Sequence, residues 1–412
     1  MLVEGLAGVL LWVYGASAVW VHRGSRFNVA VQFRETSRHP PLSNHPCTPG
    51  RRGSTPPPAR KRLLIVATSP LASRPATPRP DSGSYAELKR LVKEHGLLAR
   101  HPVRAMARML IIDVLLSLSI VFLFDVHVFW LQCLNALVLA FASAQLGFTG
   151  HDAGHRQCFA STWKNDVTGL VHGTLGLGMS FSWWVDKHNA HHARPNEIDS
   201  DPDISIPIVV FTREDAERKR GLLRFIAAHQ ALFFFPLLTL VALDLQRASV
   251  RFHLHGKSRF RTTEVTLLVL HYASYFTLLF LALPWWQAIV FCLLHKAATG
   301  LYLGSVFAPN HKGMLITEHG SQLDFLRRQV LTARNVRAHL LVDNWYGGLN
   351  YQIEHHLFPS MPRGNLARAQ RIIRRYCADH GISYYETSML HSYVEILTYL
   401  REVGAPLRLA AA

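Results

Sequence analysis

The chain has 412 residues, is 49% hydrophobic and carries a formal net charge of +17. Length alone would allow two or three soluble domains, but several apolar runs approach the ~20 residues that cross a bilayer, and these decide the class. The charge admits nucleic acid, an anionic lipid surface or an acidic electron-donor protein as partner. No nucleic-acid motif occurs and the basic residues stand beside apolar segments, so the membrane surface is the better reading.

Met1 to Trp20 is apolar apart from Glu4 and lacks the basic leader of a secretory signal. It reads either as a membrane anchor or as translated upstream sequence. Residues 23–83 are rich in Pro, Arg and Ser, include Pro56-Pro57-Pro58 and show no sustained period. Such a segment buries too little apolar surface to offset its ordering entropy, so disorder is expected. The folded domain is expected over 84–400, with 401–412 as a tail.

Residues 84–107 read as a basic, amphipathic cytosolic lead-in, with Tyr85, Leu88, Leu91 and Val92 at helical spacing. Spans are expected at about 108–124 and 128–149, joined by a turn at Asp125-Val126-His127. Arg100, Arg104 and Arg108 precede this hairpin, Arg156 and Lys164 follow it, and the turn has no Lys or Arg. The positive-inside rule puts both ends in the cytosol. Residues 167–185 are apolar but interrupted by Gly169, Gly173, Gly176 and Gly178, and end in Trp183-Trp184. They read as an interfacial or half-inserted helix. Asp199, Asp201 and Asp203 then form an acidic loop, for which simple solvation and support of nearby histidines weigh equally.

Three apolar runs remain, at about 226–243, 264–282 and 285–308. The first contains His229, Gln230, Pro236 and Asp244 and is assigned to the interface. Arg247, Arg251, Lys257, Arg259 and Arg261 mark the following loop as cytosolic. The last two runs then form a second hairpin with its outer turn at Pro284-Trp285-Trp286. Residues 312–412 hold no further span and are expected to form a cytosolic, mainly helical cap. The five cysteines, Cys47, Cys133, Cys158, Cys292 and Cys377, are scattered and odd in number, so they read as reduced thiols rather than a disulfide framework.

Histidines carry the chemistry. His188, His191 and His192 stand at i, i+3 and i+4, which puts three imidazoles on one helical face. His151 and His155 stand at i, i+4, and Gln352, His355 and His356 repeat i, i+3, i+4. His311 follows Asn310 at the end of an apolar run. A single pair of this kind is more often ordinary core or surface chemistry. Three clusters beside apolar segments are much harder to obtain by accident. Eight imidazoles exceed what one four-coordinate zinc takes and suit two metal ions with open positions. Without thiolates, the set fits non-haem iron better than calcium or magnesium.

The boxes His151-Asp-Ala-Gly-His155, His188-Asn-Ala-His-His192 and Gln352-Ile-Glu-His-His356, in this order and between apolar hairpins, resemble the membrane fatty-acid desaturase family. So do Trp345-Tyr-Gly-Gly-Leu-Asn350, Leu357-Phe-Pro359, Met361-Pro-Arg363 and Phe307-Ala-Pro-Asn-His311. Gln352 in place of a histidine is similar to the front-end branch. The resemblance covers about Ser84 to Leu400 and suggests a start codon downstream of Met1. It implies an all-α integral membrane fold: a four-span core of two helical hairpins, interfacial helices, and a cytosolic cap holding a di-metal site.

It further implies two iron ions held by His151, His155, His188, His191, His192, His311, His355 and His356. Gln352 would be a weak ligand or hydrogen-bond partner, and Asp152, Asn310, Asn350 and Glu354 would support the ligands from behind. The implied reaction removes two hydrogens from adjacent methylenes of a fatty acyl substrate, with O2 as co-substrate. Its two electrons come from an external donor such as a ferredoxin or cytochrome with its reductase. No histidine–proline–glycine–glycine haem motif and no flavin or nicotinamide fingerprint occur. A lipid hydroxylase or ketolase shares the chemistry, and a non-catalytic metal-binding membrane protein is the reading of another class. Ligands that flank the spans at one face, rather than sitting at their midplane, favour the enzyme. His172 and His295, inside apolar runs, are expected to be core histidines satisfied by backbone carbonyls.

Overall fold

Apolar composition and good helix formers dominate the long runs, and the bilayer forces each of them to satisfy its backbone within the segment. The computed structural model describes residues 84–255 and 258–409; the apolar stretch at 1–20 and the Pro-rich stretch at 23–83 lie outside the described residues. Four helices are long and apolar enough to cross a membrane: α2 (Pro102–Asp125), α3 (Phe129–Gly154), α10 (Arg261–Ala282) and α11 (Trp285–His311). They form the two expected hairpins, turning at residues 126–128 and 283–284.

All four helices exceed their apolar runs, α10 by starting at Arg261 rather than 264. α2 starts at Pro102, six residues before the expected 108, because proline suits a helix's first turn and Arg104 and Arg108 extend it past the apolar stretch. α3 continues to Gly154 and α11 to His311. His151 and His311 therefore lie in the last turns of long, rigid helices rather than in loops behind them.

The Gly-containing stretch becomes α4 (Thr162–Gly169), a π-helical segment (Leu170–Leu177) and α5 (Phe181–Ala193). Gly178 joins the last two with φ +76, and a Cβ there would lie 2.5 Å from the His271 ring, so this turn needs glycine. Ser180 caps α5 by accepting from the Trp183 N–H. The run assigned to the interface is broken at His229, where α7 (Gly221–Ala228) and α8 (Gln230–Leu238) meet at 99°. Before them lies α6 (Arg213–Arg218), and after them α9 (Val241–His255).

The cap comprises α12 (Phe325–Leu331), α13 (Leu340–Trp345), α14 (Gln352–Leu357), α15 (Arg363–Asp379), α16 (Met389–Val403) and α17 (Ala405–Leu409). One short parallel pair, β1 (Asn335–Val336) with β2 (Glu386–Thr387), is the sheet among the described residues. The lead-in helix α1 (Tyr85–Glu94) buries Leu88 and Val92 against Ile353, Leu357 and Ile373, and the Tyr85 hydroxyl donates to the Leu357 carbonyl at 2.9 Å. Each fully buried aliphatic side chain here is worth about 1.5–3 kcal/mol. The amphipathic lead-in thus holds the cap over the last histidine box.

His172 donates from Nδ1 to the Thr168 carbonyl at 3.0 Å, as a core histidine should. His295 departs from the expected carbonyl pairing: its ring lies between the Ser143 hydroxyl at 3.0 Å and the Tyr275 hydroxyl at 2.7 Å.

Candidate metal centre

All eight expected histidines converge. α3 delivers His151 and, at its C-cap, His155; α5 delivers His188, His191 and His192; α11 ends in His311; α14 brings His355 and His356. Seven of the eight rings are buried, His188 being partly so. Two groups form, with ligand atoms within 4.8 Å of one another: His151, His155, His188 and His355, and His191, His311 and His356. His192 borders the first group, its Nε2 3.0 Å from that of His188 and 3.1 Å from that of His355.

The second group shows why a cation fits. His191 Nδ1 faces Asp201 at 2.9 Å, His311 Nδ1 faces the Thr332 carbonyl at 2.9 Å, and His356 Nδ1 faces the Gln329 Oε1 at 2.8 Å. Each of those partners is an acceptor, so each Nδ1 must carry the proton. A neutral imidazole has one N–H, so all three Nε2 atoms present unprotonated lone pairs, that of His311 also facing Gln352. They nonetheless lie close: His311 Nε2 is 3.2 Å from that of His191 and 3.1 Å from that of His356. Lone pairs at that separation repel unless a positive ion sits among them. The first group adds a buried, unpartnered His155 Nε2.

Burial drives the basicity of His188, His192, His355 and His356 well below the ordinary imidazole value, with neighbouring rings adding to the effect. The rings are therefore neutral and ready to coordinate at physiological pH.

The remaining expected residues divide. Asp152 supports the cluster: Arg363 Nε donates to it at 2.6 Å and His151 Nδ1 lies 3.3 Å away. Gln352 meets His311 Nε2 at 2.9 Å. Asn310 lines the chamber beside the histidines and leaves its buried Oδ1 unpartnered. Asn350 and Glu354 hold scaffold instead. Asn350 donates to Asp343 at 2.8 Å, fixing the turn that leads into α14. Glu354 accepts from Asn335 Nδ2 at 2.6 Å and the Tyr384 hydroxyl at 2.8 Å, and burial pushes its carboxyl up to about 7.

In the acidic loop, Asp201 is fully buried and orients His191, while also accepting from the backbone N–H groups of Asn196 and Asp203. Asp203 pairs with Lys187, whose charge holds that carboxyl far below the carboxylate range. Four supports carried no sequence signal: Gln329 and Thr332 behind His356 and His311, Asn196 bridging three backbone carbonyls, and Arg334 at the end of α11. Gln329 sits in the short helix α12 and the other three in irregular segments, so no period marks them.

Beside the histidines lies a chamber of about 110 Å³. Gly147, Phe148, Leu177, Met179, Leu245, Leu303, Phe307 and Leu349 form its apolar wall, and His151, His188, His191, His311 and Gln352 face it from one side. An apolar wall and a polar, histidine-bearing edge are thereby combined in one space.

The family model described as fatty acid desaturase matches residues 128–388. Similar proteins include the Acyl-lipid (9-3)-desaturase of Physcomitrium patens, 33% identical over 280 residues, covering 66% of this chain and 53% of that protein. The Delta(6)-fatty-acid desaturase fat-3 of Caenorhabditis elegans is 31% identical over 306 residues, covering 69% of this chain and 68% of that protein. Fatty acid desaturase 3 of Homo sapiens is 31% identical over 283 residues, with 66% and 61% covered. This chain thus spans about half the length of the first of these relatives and about two thirds of the second. With the histidine boxes, the paired spanning hairpins and a match over most of its length, the chain belongs to the fatty acid desaturase family.

Proposed function

We propose that this chain is a membrane fatty acyl desaturase that introduces a double bond into an acyl chain, consuming O2 and two electrons from a separate donor protein such as a ferredoxin or cytochrome. The observation that carries this is the convergence of imidazole Nε2 atoms against an apolar chamber. Two iron ions, one held by His151, His155, His188, His192 and His355 and the other by His191, His311 and His356, would supply the oxidising power that unactivated methylenes demand. The protein does the rest. The chamber walls align the acyl chain and exclude water, and α3 and α11 hold the ligand rings on stiff supports. Asp201, Thr332 and Gln329 fix three ring tautomers so that Nε2 always faces inward. Family names of the relatives support the reaction class: they are named for desaturation of fatty acids or acyl lipids.

The test is lipid analysis of a host with and without the expressed gene, fed saturated and monounsaturated acids. Products lacking two hydrogens are expected. Products gaining one oxygen would instead identify a hydroxylase or ketolase.

Gln352 completes the second group. Its amide nitrogen faces His311 and its Oε1 is buried without a partner. Turned over, the same amide presents the oxygen to a cation. Gln352→Ala is expected to lower turnover about 10- to 100-fold while much of the metal stays bound, because the imidazoles remain. Gln352→His is expected to lower turnover as well, since a ring does not reproduce the amide's geometry. Full activity of Gln352→Ala with unchanged product would remove Gln352 from the site.

The active face is assigned to the cytosol from the basic residues that flank both hairpins. Cysteine-accessibility labelling at the Pro284–Trp286 turn and near Lys312 is expected to report opposite sides of the membrane. Labelling of both from one side would refute the four-span arrangement.

A further inference from the structure

One short helix of the cap lies well below the histidines. α13 is six residues long, Leu-Leu-Val-Asp-Asn-Trp, and docks on the sides of α3 and α11. The Tyr302 hydroxyl donates to the Trp345 carbonyl at 2.7 Å, and Gln145 Nε2 donates to the Asn344 carbonyl at 3.1 Å. Tyr302 stands nine residues before His311, and Gln145 six before His151. At 1.5 Å per residue, α13 is displaced by roughly 9–14 Å from the histidine ends toward the opposite face. α11, with 27 residues, is roughly 40 Å long, about 10 Å more than a ~30 Å hydrocarbon core. With the Trp285-Trp286 turn at the far interface, α13 falls at the near edge of the hydrocarbon.

Its surface agrees. Leu340 and Leu341 are 75% and 72% exposed, and Trp345 is 40% exposed. The start of α16 lies at the same level: the Tyr393 hydroxyl donates to the Ser305 carbonyl of α11, while Leu390 and Val394 are 72% and 56% exposed. Outward-facing leucines in water are costly; at a bilayer edge continuous with the apolar flanks of α3 and α11 they are covered. Behind them runs a row of rings. Trp345 packs at a tilt of 33° against Tyr302 with centroids 4.0 Å apart, Tyr302 meets Phe148 edge-on at 6.0 Å, and Phe148 lines the chamber.

We propose that α13 is inserted at the headgroup–acyl boundary of the cytosolic leaflet and that the packed Trp345–Tyr302–Phe148 row behind it parts to admit an acyl chain of a bilayer glycerolipid sideways into the chamber. The route rests on reading the chamber as an acyl site. It selects chains still attached to membrane lipid, because they pass sideways without crossing water. A soluble acyl thioester gains nothing from this surface.

Two measurements test it on the full chain in lipid nanodiscs. Leu341→Cys labelled with a thiol-reactive fluorophore, corrected for the unsubstituted protein labelled alike, is expected to be quenched at least twofold by lipids brominated near the carbonyl end of the acyl chain. Lack of quenching by any brominated lipid, or a label buried by a soluble partner protein instead, would overturn the insertion. Leu340→Asp with Leu341→Asp is expected to slow turnover of glycerolipid-linked chains tenfold or more, while turnover of a detergent-dispersed acyl thioester stays within twofold. Equal loss on both, or activity confined to the thioester, would overturn the lateral route. Quenching needs no turnover, so a protein inactive on every acyl substrate would sink the desaturase reading while α13's position is still read.

Discussion

His355→Ala is expected to abolish product formation and to strip most of the iron from the protein. His355 Nε2 lies 3.2 Å from His151 Nε2 and 3.1 Å from His192 Nε2, so this ring joins the first box, the second box and the cap. Loss of residues that merely orient a ligand costs about 10- to 100-fold in metal affinity or activity, and loss of a ligand at the junction should exceed that. Iron per chain would be measured by elemental analysis alongside product formation. The unsubstituted protein should approach two irons per chain after correction for occupancy, and the variant should hold one or fewer. The fold should survive, because the removed imidazole is buried with an unpartnered Nδ1 and neighbours whose lone pairs crowd it. Wild-type turnover by His355→Ala, or one tightly held zinc and no iron in active unsubstituted protein, would sink the di-iron reading.

Arg334→Met is expected to destabilise the protein by about 3–5 kcal/mol, the usual cost of breaking a buried ion pair from one side. Arg334 is 1% exposed. Its guanidinium donates to the carbonyls of Pro309 and Lys312 and to the Glu395 carboxylate, and its backbone N–H donates to the Asn310 carbonyl at 3.0 Å. It therefore satisfies the otherwise orphaned carbonyls at the end of α11 with a positive charge, where a helix terminus favours one. His311 stands in that last turn, so Arg334 positions a candidate ligand without touching the chamber. Arg334→Lys should rescue little, since one ammonium cannot reproduce three donors in a planar fork. Thermal unfolding in detergent and iron content would be read together. Unchanged unfolding of Arg334→Met would show that the carbonyls find other donors.

These two predictions differ in where their information lies. The spans were legible because lipid forbids polar surface along ~20 residues, and the histidine boxes because i, i+3, i+4 spacing is a local property of one helix. Charge asymmetry around the turns resolved the hairpin parity, which in turn brought His311 to the other boxes. The acidic loop was half legible: three aspartates stood out, but solvation and ligand support predict the same composition, and the burial of Asp201 against His191 separates them.

Helix ends were misjudged where hydropathy stops before the hydrogen-bonded ladder does, as at Pro102, Gly154 and His311. Asn350 and Glu354 illustrate the converse, since proximity in sequence to a metal-ligand motif says nothing about which way a side chain turns. Gln329, Thr332, Asn196 and Arg334 were invisible because their partners lie across the chain: an isolated glutamine in a short helix, or an arginine in an irregular segment, has no periodicity to betray it. The depth of α13 was likewise decided by the Tyr302 and Gln145 contacts. By itself the sequence determined four candidate spans, the histidine boxes and the common helical face within each box. Only the tertiary structure decided which nitrogen of the His191, His311 and His356 rings points inward, because that choice belongs to the acceptor placed behind each.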